Sequence, residues 1–112
     1  MSLNRKYVFH IPLCRYGDGM HPIDIDEILD DLICRLSDEG FDNFYITEVK
    51  SHYCSRSFDG LLLTLFCDDD SPEMIFRDWF LKNNAVLAQE AIAFERDGKM
   101  IIEKLDGCKN EL

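Results

Sequence analysis

At 112 residues, with 46% hydrophobic and 30% charged side chains, the chain has the size and composition of one ordinary globular domain. Its 22 acidic residues against 12 basic ones give a formal charge of −10, a field that repels nucleic acid and anionic lipid and so argues against direct binding to either. No apolar run is long enough to span a bilayer.

The same field suits a basic protein partner or a metal cation, and at the least it keeps a small protein soluble. The five cysteines, Cys14, Cys34, Cys54, Cys67 and Cys108, are odd in number and contain no close-spaced pair. That usage fits reduced thiols better than a disulfide framework. No leader is read ahead of the first strand, and a cytoplasmic location is expected.

Residues 6–13 alternate, with Tyr7, Phe9 and Ile11 to one side and Val8 and His10 to the other, which predicts a strand. The connection 14–23 follows, with Gly17, Gly19 and Pro22. It is longer than the roughly two to six residues usual between a strand and a helix, and long ordered loops tend to carry function. Asp24 is expected to open the first helix, with Glu27 three residues later as in a capping box. Ile25, Ile28, Leu29, Leu32, Ile33 and Leu36 recur at helical spacing, and Gly40 stops the helix.

Two strands follow, 43–54 and 57–66, joined by a polar turn at 55–59. Leu61, Leu62, Leu63, Leu65 and Phe66 place apolar side chains on both faces of the second, which predicts an interior, doubly buried strand. Ser71 is expected as the N-cap of a second helix with Pro72 in its first turn; Ile75, Phe76, Trp79 and Phe80 form its buried stripe, and Asn83 and Asn84 end it. Residues 85–89 fit either a frayed turn or a loop. Segments 91–96 and 99–105 read as a hairpin across Asp97-Gly98, a pair suited to a type I′ turn.

These elements make one α+β domain over 1–105, with a polar tail, 106–112, expected to be disordered. The order β-α-β-β-α-β plus one strand predicts a ferredoxin-like plait. Its antiparallel sheet would hold the first and third strands at the centre, both helices on one face, and an extra C-terminal hairpin strand. The run Thr47-Glu48-Val49-Lys50 at the end of a second strand resembles the PII signalling proteins, but the long loop those proteins place between strands two and three is missing, so no function is carried over.

In such a plait the 14–23 loop, the start of the first helix and the 52–59 turn meet at one end of the sheet, with 84–89 nearby. Arg15, Tyr16, Asp18, His21, His52 and Arg56 are the candidate ligand-binding residues. Cys14, His21, His52 and Cys54 are a candidate zinc set by donor type, although their spacing matches no standard motif. Cys14 or Cys54 with His21 or His52 as base is the corresponding cysteine-enzyme reading, Arg15 and Arg56 favouring a thiolate and Asp18, Asp24 and Asp26 opposing it. Asp68, Asp69, Asp70 and Glu73 lack the alternation and glycine of a calcium loop and are read as complementing a helix dipole. His10 is read as a structural histidine.

Three functions follow from this reading. The favoured one is a small regulatory or ligand-binding module, homodimeric through the sheet face that the helices leave open. The second is an acidic interaction protein or inhibitor occupying a basic, nucleic-acid-binding surface. The third is a zinc-binding or cysteine-dependent enzyme.

Overall fold

A computed structural model describes residues 3–15, 22–53 and 56–105. The described chain runs β1 (Arg5–Pro12), α1 (Asp26–Asp38), β2 (Phe44–Tyr53), β3 (Arg56–Cys67), α2 (Ser71–Leu87), β4 (Ala91–Arg96) and β5 (Lys99–Lys104). The strands form one antiparallel sheet in the order β2-β3-β1-β4-β5, so β1 and β3 are interior neighbours and β2 and β5 are the edges. The tail 106–112 lies outside the described residues.

Register sorts the side chains into two faces, because directly opposed residues share a side. Tyr7, Phe9 and Ile11 oppose Leu65, Leu63 and Leu61, and Phe9 also opposes Phe94. All seven of these residues and Ile92 are buried on this face. Both helices cover it: Phe9 stacks on Phe76 at 4.3 Å between centroids, and the Trp79 indole donates to Ile28 O at 2.6 Å, tying α2 to α1. Burying each such aromatic or aliphatic side chain contributes roughly 1.5–3 kcal/mol.

The opposite face is open, and here the doubly buried β3 of the sequence reading needs correction. Leu61, Leu63 and Leu65 are fully covered, but Leu62 is only half-buried and Phe66 is 36% exposed. β3 is interior within the sheet, and its second side is covered unevenly: Thr64 and Val8 opposite it are buried, Leu62 is half-buried and Phe66 is exposed.

Helix ends differ from expectation for identifiable reasons. α1 starts at Asp26 with Ile25, not Asp24, in the capping position, and Asp24 Oδ1 accepts from Asp26 N–H at a long 3.4 Å. Ile23 N–H donates to Leu13 O at 2.8 Å and Ile25 is buried, so the entering chain is pinned to β1 until Ile25 has seated in the core. At α2 the cap is Asp70, and Asp69 Oδ1 accepts from Ser71 N–H at 2.8 Å, so Ser71 is already helical. α2 then continues through Asn83 and Asn84 to Leu87, which is completely buried. Ala88, at φ 52°, ends it, and Asn84 clamps Gln89 by two hydrogen bonds of 3.0 and 3.1 Å. Packing of Leu87 outweighs the local preference of two asparagines for a stop. The expected 55–59 turn is also tighter, because Arg56 begins β3 and Asp59 lies inside the ladder opposite Lys50.

Candidate functional site

β2 and β3 run on together beyond the end of β1. The last β1 rung is Pro12 opposite Gly60, whereas the β2–β3 ladder continues through Lys50–Asp59, Ser51–Phe58 and His52–Ser57. This arm and the β4–β5 hairpin flank the exposed end of β1, and between them lies a trough of about 580 Å³. His10, Gly60 and Leu62 line its floor. Ser51, His52 and Phe58 stand on one side, Ala93, Met100 and Ile102 on the other, and Cys14, Gln89 and Lys104 close the end.

The trough is apolar with a few polar groups, the usual make-up of a small-molecule site. His10 is its most distinctive polar member. Its Nε2 is buried, lies 3.5 Å from Glu95 Oε2 and makes no hydrogen bond. Gln89 is held firmly: its side-chain amide donates to Cys14 O at 2.9 Å and Leu87 O at 2.6 Å, joining the loop after β1 to the end of α2. The loop itself is closed at its base by the Cys14–Pro22 bridge.

Cys14 and His52 both line the trough, and the segments containing residues 14, 52 and 89 therefore meet at one end of the sheet. Arg15 is exposed. The Arg56 backbone pairs with Tyr53 at the tip of the arm. Tyr16, Asp18, His21 and Cys54 lie outside the described residues, so two of the four candidate zinc ligands, Cys14 and His52, are placed. Among the described residues no group of three or more metal-ligating side chains is found. The sequence reading did not place Leu62, Phe58, Met100 and Ile102 in the candidate ligand site, and took His10 as structural. The signal that would have found them is the strand register, which puts all five on one face.

The far end of the sheet carries a charged network that the sequence reading missed. Glu73, 8% exposed, accepts from Tyr7 OH at 3.2 Å, from Arg96 through two bonds of 2.7 Å, and is bridged by Arg77 at 2.7 Å. Arg77 in turn donates twice to Glu103, at 2.8 and 2.7 Å, and lies over the Phe94 ring. Hydrogen bonding from Arg96, reinforced by Arg77, holds the Glu73 carboxyl down at about 2. Burial, then the Glu73 charge, pushes the Tyr7 phenol up to about 12. The Arg77 guanidinium holds Glu103 below the usual carboxylate range. Each charge here has a protein partner, which marks the network as structural.

No protein-family model matches the chain, and a search of curated proteins gives no match. Two solved structures share its fold. A phage SAM lyase in complex with S-methyl-5′-thioadenosine superposes with a TM-score of 0.65 at 9% identity, over 95% of this chain and 93% of that one. A phage SAM lyase in the apo state gives 0.53 at 10% identity, over 92% and 90%. At such identities the likeness is one of fold. No helix among the described residues is long and apolar enough to cross a membrane.

Proposed function

We propose that this protein is a small-ligand-binding module, built on a ferredoxin-like plait with one added edge strand, that takes its ligand in the trough on the open sheet face. The trough itself carries the reading. It is about 580 Å³ in volume, large enough for a nucleoside-sized molecule, and it has apolar walls with His10 in its floor. The buried His10 Nε2 has the Glu95 carboxylate 3.5 Å away, a contact too long to be a good hydrogen bond, and a ligand group in the trough can compete for it. The charge of −10 favours a neutral or cationic ligand over a phosphate.

The S-methyl-5′-thioadenosine bound in one of the two similar structures supports a narrower reading, in which the ligand is an adenosine thioether or its sulfonium. Both suit the volume, the apolar walls and the sign of the field. Calorimetric titration with S-methyl-5′-thioadenosine, S-adenosylmethionine and ATP tests both levels. The expected result is saturable binding of one or both sulfur nucleosides and none of ATP, with His10→Ala weakening it about tenfold. No heat from any probe, and no shift in melting temperature across a wider panel of uncharged metabolites, overturns the ligand reading. Binding of an unrelated metabolite alone overturns only the narrower one.

A further inference from the structure

We propose that the free edge of β5 joins two copies of this chain, so that their sheets become one continuous sheet with the two β5 strands antiparallel about a two-fold axis at Ile101. This extends the ligand reading to a partner but rests on the edge alone.

The backbone supplies the first reason. Asp97 and Gly98, at φ 52° and 87°, form a two-residue hairpin turn that closes on the Arg96–Lys99 pair. In such a hairpin the closing pair is hydrogen-bonded, so Lys99, Ile101 and Glu103 turn their N–H and C=O groups toward β4. Met100, Ile102 and Lys104 then present theirs to the open edge. An edge with regularly spaced free donors and acceptors is a template for another strand.

The side chains supply the second reason. Opposed residues in an antiparallel pair share a face, so a two-fold axis must pass through a residue and not between two. Centred on Ile101, the register sets Ile101 opposite itself, Met100 opposite Ile102 twice, and Lys99 opposite Glu103 twice. Every pair is apolar with apolar or positive with negative, Glu103 being shared in this register between Lys99 of the other copy and its own Arg77. Centring on Ile102 instead opposes Met100 to Lys104 and Ile101 to Glu103. Centring on Met100 opposes Lys99 to Ile101. Met100 and Ile102 are 51% and 64% exposed, apolar surface that this pairing would cover. On the other edge, β2, centring on Glu48 opposes like charges, and centring on Val49 opposes Glu48 to Lys50 without the exposed apolar pair that Met100 and Ile102 make on β5.

The pairing has a structural consequence for the trough. Met100, Ile102 and Lys104 form its β5 wall, so the two troughs would lie on either side of the new seam, each lined by its own chain.

Light scattering of the full chain at micromolar concentration, with two edge variants, tests this. Lys99→Glu replaces two opposite-charge pairs by two like-charge pairs and is expected to weaken dimerisation about tenfold or more. Met100→Pro removes one outward N–H without removing a bond to β4, and is expected to leave a monomer with an unchanged circular dichroism spectrum. A monomeric wild type overturns the proposal. So does a dimer that survives both substitutions, or one that persists in them and is lost in Phe66→Asp on the open face. Titrating the Lys99→Glu chain with S-methyl-5′-thioadenosine keeps the two readings apart. A monomer that binds it sinks the edge and leaves the ligand site standing if the wild type is also monomeric, and a dimer that binds no probe does the reverse.

Discussion

The two ends of the sheet solve opposite problems with similar residues. At one end, around Glu73, every charge is matched: a carboxylate 10% exposed in its side chain receives a tyrosine and two arginines, and a second carboxylate takes what Arg77 has left. At the other, around His10, the walls are apolar, the β2–β3 arm runs on past the end of β1, and a buried nitrogen has only a long 3.5 Å contact to the Glu95 carboxylate. A satisfied network rigidifies, whereas an unsatisfied group next to a cavity is an invitation to a ligand. The first end therefore supports the fold, and the second is where binding belongs.

Removing the centre of the matched end should have the largest effect. Glu73→Ala leaves Arg96 and Arg77 facing each other without the carboxylate that joins them, and is expected to cost about 3–5 kcal/mol in urea unfolding. Binding in the trough by the fraction that remains folded should be unchanged. If the cost is under 1 kcal/mol, the network is ornamental and the contrast fails.

Acid titration probes the same end with a smaller effect. Glu73 sits at about 2 in the folded chain against 4.5 for the free side chain. A depressed carboxyl contributes stability that is fully present above its unfolded value and is lost as pH falls through its folded one. Stability should therefore fall by about 3 kcal/mol between pH 5 and pH 2 from this group, and Glu73→Gln should remove that part of the slope. Tyr7 works in the other direction: its raised value, about 12, adds stability that is complete below pH 10 and lost as pH climbs through 12.

Much of the layout was legible because hydrophobic period dominates it. Tyr7, Phe9 and Ile11, and the stripe from Ile28 to Leu36, identified their elements and buried faces from spacing alone. The charged network was not legible, since Tyr7, Glu73, Arg77, Arg96 and Glu103 are far apart in sequence and meet only through register and the seating of α2. Glu73 looked like one of several acids before a helix, when its neighbours Asp68 and Asp70 remain exposed. The candidate site was half legible. Chain order brought residues 14, 52 and 89 to one end, but which face of the strands lines the trough depends on a pairing register that no local pattern sets. Loops and cysteines were read as site residues, and the strand residues His10, Leu62 and Phe58 were not.

Gly60 offers a way to sharpen the binding side without disturbing the matched side. It lies in the trough floor, and a Cβ there would come no nearer than 3.5 Å to Ile11 O and 3.9 Å to Val49. Gly60→Val should therefore be accommodated in the strand within about 1 kcal/mol, since a β-branched residue suits that backbone. Its side chain would occupy the floor, and affinity for any trough ligand should drop about tenfold or more, measured by titration alongside an unfolding curve. Unchanged affinity would place the ligand elsewhere.

The smallest effect tests whether position, and not merely pairing, makes the Glu73 network matter. Lys50 and Asp59 also form a close ion pair, 2.9 Å apart, but on the arm, with side chains 68% and 64% exposed. Water already solvates both charges, so their attraction is screened and ordering two long side chains offsets most of it. Lys50→Ala is expected to cost less than about 0.5 kcal/mol and to become indistinguishable from wild type in high salt. A cost approaching that of Glu73→Ala would mean the arm is as tightly held as the core. The trough would then be a rigid cleft and not the looser end of the sheet.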